Sequence, residues 1–140
     1  MALARKGADM KRFLIPVSII LLFLASCGLP GNGTAEDLAK TLLISIAKSD
    51  LQTVLQYTSD SSKSSIASEF DETRASGVRR GVNWDDISIN KVELDDDDCI
   101  VFFESNSKMF SVKFYRIKKM GDGFVKDSSV IGNVRKVREK

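Results

Sequence analysis

Two thiols and nineteen carboxylates carry most of the chemistry open to this 140-residue chain, and histidine is absent. Without imidazole, the commonest general base and the commonest zinc ligand are missing, and with them Ser-His and Cys-His nucleophile pairs. The more informative thiol is Cys27. It closes the stretch Leu24-Ala25-Ser26-Cys27 at the end of an apolar run, residues 13–25, that follows Lys11 and Arg12. A basic start, a short apolar middle and small residues before a cut are the parts of a secretory signal. The apolar middle is 13 residues long, interrupted only by Pro16 and Ser18. A spanning helix needs about 20 apolar residues, whereas roughly 10–14 suit a signal. Ala25 and Ser26 leave room for a peptidase to approach the bond before Cys27.

In this arrangement the region resembles the bacterial lipoprotein signal family, whose pattern (the lipobox) is Leu, two small residues, then Cys. Leu24, Ala25, Ser26 and Cys27 match it, and Gly28 after the cut is small as well. The resemblance implies that Cys27 carries a diacylglycerol and becomes the first residue of the mature protein, its amine usually taking a third acyl chain. One acyl chain binds a membrane only marginally, at about 0.8 kcal/mol per buried CH₂, so two or three make a lasting anchor. It also implies the cell envelope, and in a Gram-negative host the outer membrane on its periplasmic side, because Gly28 is not Asp. Met10-Lys11-Arg12 opens a compact signal by itself, so a start at Met1 or at Met10 stays open.

The expected organisation is a signal peptide over 1–26, a lipid-anchored tether over 27–33 and one domain over 34–140. The chain's net charge is +2 and the signal alone carries +3, which leaves the mature part near −1. Such a balance lacks the concentrated basic face that nucleic-acid binding requires. With Cys27 acylated, Cys99 is the one thiol left, either buried or bridging to another molecule; Ile100-Val101-Phe102-Phe103 directly after it favour burial.

The elements that must position these groups come in two blocks. Residues 28–33 are turn formers and read as a flexible tether. Thr34 with Asp37 forms a capping-box start, and Leu38, Leu42 and Ile46 line one helical face. Ser49-Asp50-Leu51-Gln52 opens a second short helix, and Ile66 with Phe70 marks a third that ends near Gly77, before a loop over 77–81. From Asp86 the period becomes two. Ile87 and Ile89 give way to Val92 and Leu94 on the other parity, as a β-bulge at Asn90-Lys91 would produce. Strands follow over 99–104 and 109–115. A hairpin turns at Gly121-Asp122-Gly123, and Val130, Ile131 and Val134 complete a sheet of about four strands. The class is therefore α+β, with N-terminal helices packed on a curved antiparallel sheet. The strand after Cys99 is apolar on both parities, which fits either a doubly covered strand or a homodimer through the sheet face.

Chemistry is hard to find in this domain. Asp95-Asp96-Asp97-Asp98 reads as a solvated turn, since a calcium loop spaces its ligands alternately and uses a glycine. Asp50, Tyr57, Glu69, Asp85, Asp86, Glu104 and Tyr115 are the remaining acid–base groups, and no spacing singles out a pair. Tyr57 and Trp84 read as core or rim aromatics before pocket aromatics. No catalytic or metal residue and no cofactor is assigned, and the binding residues stay open. The basic end, Arg135-Lys136-Val137-Arg138-Glu139-Lys140, is either a solvated tail or a contact for anionic lipid.

The helix pair joined by Ile46-Ala47-Lys48-Ser49-Asp50, and the ending Gly121-Asp122-Gly123-Phe124-Val125-Lys126, give residues 34–128 a family resemblance. They resemble the small bacterial lipoproteins of unknown function that carry a nuclear-transport-factor-like, cone-shaped α+β domain; that family usually has Trp where this chain has Phe124. The fold hosts enzymes and purely structural modules alike, so it implies no activity. The expectation is a non-enzymatic, lipid-anchored envelope module that binds a protein partner or small apolar ligand. The alternative is a small isomerase- or hydrolase-like enzyme with a carboxylate inside the cone.

Overall fold

The computed structural model describes residues 33–138. The signal segment, Cys27 and its neighbours Leu24, Ala25, Ser26 and Gly28 lie outside the described residues. The helices are α1 (Ala35–Ala47), α2 (Leu51–Gln56) and α3 (Lys63–Arg79), with a 3₁₀ turn at Asp60–Ser62. The strands are β1 (Ser88–Asp95), β2 (Asp98–Ser105), β3 (Lys108–Phe114), β4 (Ile117–Met120), β5 (Gly123–Lys126) and β6 (Arg135–Lys136). The expected α+β class holds.

Thr34 caps α1 by accepting the Asp37 N–H at 3.1 Å, and its hydroxyl donates to the Asp37 carboxylate at 2.7 Å. The cap of α2 is Asp50 and not Ser49. Asp50 accepts the Thr53 N–H at 3.0 Å, while Ser49 turns the chain at φ +58°. Hydrogen bonds to the Thr53 hydroxyl and N–H hold the Asp50 carboxyl below the usual carboxylate range.

The loop expected over 77–81 is a second correction. Helix α3 runs through Arg79, and Gly77 sits buried inside it because the Trp84 ring lies on its backbone. A Cβ at Gly77 would come within 2.2 Å of Trp84 Cζ2, and that ring is pinned by Nε1–H donating to the Arg74 carbonyl at 3.0 Å. Gly77→Ala gains about 1 kcal/mol in helix propensity. The overpacking costs about 1–3 kcal/mol. We expect a net loss of up to about 2 kcal/mol in urea unfolding, relieved when Trp84→Phe is added. A midpoint raised by the full propensity gain of about 1 kcal/mol would refute this packing.

The sheet runs β1-β2-β3-β6, entirely antiparallel. The register of β1 on β2 slips between Ile89 and Lys91, so the bulge lies where the parity change placed it. Two expectations about the later strands need correcting. The β4–β5 hairpin forms a separate two-stranded sheet, and the fourth strand is Arg135–Lys136 rather than the Val130–Val134 region. Ile131 and Val134 are buried as non-strand chain that packs on the core, whereas Val130 is exposed. The chain folds back there because Gly132, at φ +110°, passes against the Lys113 carbonyl.

The core lies between α1 and one sheet face. Leu38, Leu42, Leu43 and Ile46 meet Val101, Phe103, Phe110 and Val112. Trp84, Phe103 and Phe110 stack in sequence, with centroids 6.2 and 5.7 Å apart. Arg74 donates to the Ile46 and Ala47 carbonyls at the end of α1 and lies over the Trp84 ring. Trp84 and Tyr57 thus belong to the core. No second layer covers the other face of β2 among the described residues. There Ile100 and Phe102 are half-buried, with the Lys91 ammonium 4.4 Å above the Phe102 ring.

Candidate functional site

The aspartate run works as a bracket. Asp95 ends β1 and Asp98 begins β2, and both accept from the Lys113 ammonium, at 2.9 and 3.1 Å. The Asp97 carbonyl accepts the Ile117 N–H at 2.6 Å, and the Asp98 carboxylate accepts the Arg116 N–H at 2.8 Å. These bonds hold the kink at Arg116, φ +52°, where the chain leaves β3 for the separate hairpin. Partial burial works against ionisation of Asp98, but the Arg116 N–H and the Lys113 ammonium prevail and keep its carboxyl below the usual range. In return, Asp95 and Asp98 raise the Lys113 amine above its ordinary value.

Setting the hairpin apart from the sheet opens a groove of about 720 Å³. Its walls are the start of α1, the β1–β2 turn and the β4–β5 hairpin. Leu94, Cys99, Ile117 and Phe124 supply apolar surface, and Glu36, Asp96, Asp97, Lys118 and Lys119 stand at the rim. That volume falls within the range typical of small-ligand sites, roughly 300–1,000 Å³. Leu94 is 58% exposed, an unusual fraction for a leucine on the core-facing parity of a strand.

Cys99 lies at the base of this groove, 1% exposed, with its Sγ 3.7 Å from the Ala35 carbonyl. The buried alternative therefore holds for this thiol. Burial first, then the nearby charges of Glu36 and Asp98, push its pKa up to about 11. A thiol so raised is a poor nucleophile at neutral pH.

The acid–base groups singled out in the sequence are not brought together. Asp50 caps a helix, Tyr57 packs in the core, and Asp85 and Asp86 are exposed before β1. Glu104 and Tyr115 lie on the uncovered face of the sheet, half-buried. The buried polar side chains are serines, threonines and Lys126; no described carboxylate is among them.

Lys126 is the group that reading residue types missed. Its side chain is fully buried, and Nζ donates to the carbonyls of Ser128, at 3.0 Å, and Val130. Desolvation lowers its pKa to about 8, against the opposing pull of Glu69, Asp127 and Asp98. Its backbone is equally engaged. The Lys126 N–H donates to the Tyr57 carbonyl at 2.8 Å, and its own carbonyl accepts the Ser59 N–H at 2.9 Å. The lysine thereby joins β5, the end of α2 and the chain entering residues 128–130. The signal was present as the last residue of the Gly121–Lys126 ending, but nothing in the spacing marked that lysine as buried.

No family model matches this chain, and neither does any curated protein or solved structure.

Proposed function

We propose that this chain is a lipid-anchored bacterial envelope protein, with a signal peptide cleaved before Cys27 and Cys27 acylated. Its nuclear-transport-factor-like domain acts as a binding module and not as a catalyst. The anchor rests on the Leu24-Ala25-Ser26-Cys27 pattern behind a basic, short apolar segment. The observation that carries the binding role is the groove between α1 and the β4–β5 hairpin, with apolar residues as its floor and exposed charges only at its rim. Such a surface suits an amphipathic segment of an envelope protein or a small apolar ligand. The thiol at its base, Cys99, is buried and held protonated at neutral pH, which makes it a poor nucleophile.

One experiment tests both halves. A photo-crosslinking residue is placed at Leu94, in the groove, or at Val78, which is 61% exposed on α3, in cells labelled with palmitate. We expect label on the protein and a discrete adduct from position 94 but not from position 78. Cys27→Ser should lose the label entirely. Persistent labelling of that variant would overturn the anchor, and equal adducts from both positions would overturn the groove.

A further inference from the structure

The short strand β6 gives the basic end of the chain a fixed place. Lys136 pairs with Phe110 and Arg135 with Ser111, and the Val137 N–H donates to the Met109 carbonyl at 2.9 Å. Continuing that register by two residues sets Arg138 opposite Lys108. Lys108, Lys136 and Arg138 then share one side of the β3–β6 pair, around a groove of about 450 Å³ that Met109 and Val137 complete. All three cations are exposed. None has an ion-pair or side-chain hydrogen-bond partner among the described residues. Like charges directly across a strand pair destabilise a sheet. The fold therefore concentrates unmatched positive charge at one end of a domain whose mature chain is slightly negative overall.

The position of this patch matters as much as its charge. Lys108 begins β3 just after the β2–β3 turn, where Ser105 pairs with Lys108. The start of α1 lies at the other end of β2, where Cys99 meets Ala35. The seven residue steps of β2 separate the two ends by about 23 Å. The tether leaves from the α1 end, and six residue steps from Cys27 to Gly33 reach at most about 21 Å. A domain held by the tether alone would be free to stand on its α1 end. Contact of both ends with the surface lays the strands along it.

We infer that Lys108, Lys136 and Arg138 dock on anionic lipid headgroups and set the anchored domain flat against the membrane. Basic residues near an anionic leaflet are attracted over about a Debye length, so the contact is short-ranged and salt-sensitive. This rests on the lipid-anchor reading, and the test separates the two. Trp84 is the chain's single tryptophan, and it lies at the patch end, where the neighbouring Asn83 N–H donates to Ser105 Oγ at 2.7 Å.

The acylated mature protein, beginning at Cys27, is bound to neutral phosphatidylcholine vesicles or to phosphatidylglycerol-rich ones. Flotation reports attachment, and energy transfer from Trp84 to a dansyl lipid reports the approach of the patch end. We expect flotation on both. Transfer should be higher on the anionic vesicles and fall to the neutral value at 1 M salt, where the Debye length is about 3 Å. Lys136→Glu/Arg138→Glu should abolish the added transfer, and Lys136→Gln/Arg138→Gln should reduce it, both with unchanged circular dichroism and flotation. Equal transfer on both vesicles with flotation intact would overturn the docking and leave the anchor standing. So would polyglutamate binding to the patch while anionic vesicles leave transfer unchanged, which would assign the patch to an acidic protein. Failure to float on neutral vesicles would overturn the anchor.

Discussion

Gly132→Ala is expected to cost about 3–5 kcal/mol, a large share of the roughly 5–15 kcal/mol that holds a domain of this size. A Cβ at this position would lie 1.8 Å from the Lys113 carbonyl oxygen and 2.9 Å from its carbon. That carbonyl belongs to β3, the strand paired on one side with β2 and on the other with β6, so the ladder cannot yield locally. The backbone at φ +110° is also one that L residues rarely adopt, which adds about 1–3 kcal/mol of strain. Relief requires residues 131–134 to lift away, exposing Ile131 and Val134, each worth about 1.5–3 kcal/mol when buried. The contrast with Gly121→Ala isolates the cause. Gly121 has φ +61° but nothing within 4 Å of a Cβ, so its substitution should cost only the backbone strain, about 1 kcal/mol. Urea unfolding of both variants decides the matter, and losses within 1 kcal/mol of each other would refute the close approach. Because β6 follows residues 131–134, the same substitution should loosen the basic groove.

The second large effect is in the pH dependence of stability. Lys126 has a pKa of about 8 when folded and the ordinary 10.5 when unfolded. Between those values the unfolded chain binds more protons than the native one, so stability rises with pH. Across the whole window the contribution is about 3 kcal/mol, at 1.36 kcal/mol per unit. Cys99 acts in the opposite sense. Its pKa moves from 9.0 to about 11 on folding, so the unfolded thiol ionises first and stability falls as pH climbs through that range. Stability should therefore increase from about pH 8 to 9, then level off while the two contributions cancel. Cys99→Ala should extend the rise toward pH 10.5, and Lys126→Met should remove it. Urea unfolding of the wild type and Cys99→Ala across pH 7–10.5 checks the prediction. Coincident profiles would show that the thiol carries no such shift, and a wild-type curve flat from pH 8 to 9 would show that burial does not lower the Lys126 pKa.

Local patterns were legible wherever one residue's neighbours in sequence are also its neighbours in space. The Thr34 cap, the Leu38/Leu42/Ile46 stripe, the bulge beside Lys91 and the buried alternating face of Phe110, Val112 and Phe114 all depend on short-range periodicity. The misplaced boundaries have long-range causes. Gly77 reads as a stop signal until the Trp84 ring is seen to occupy the space a side chain would take. Val130, Ile131 and Val134 read as a strand because they are apolar, yet their burial comes from a fold-back across β3 that leaves the pairing to Arg135 and Lys136.

The sequence by itself determined the α+β class, the helix stripe and the strand parities, because each follows from hydrophobic spacing along a few residues; it favoured burial of Cys99 over an intermolecular bridge, and the structure decided for burial. Only the tertiary structure decided which groups face one another. It separated the β4–β5 hairpin from the sheet to make the groove, buried the Lys126 amine under two carbonyls, and set Lys108 beside the basic end. Those juxtapositions join residues as far apart as Ala35 and Cys99, or Lys108 and Arg138. Loop closure and packing select them, and a linear pattern carries no record of either.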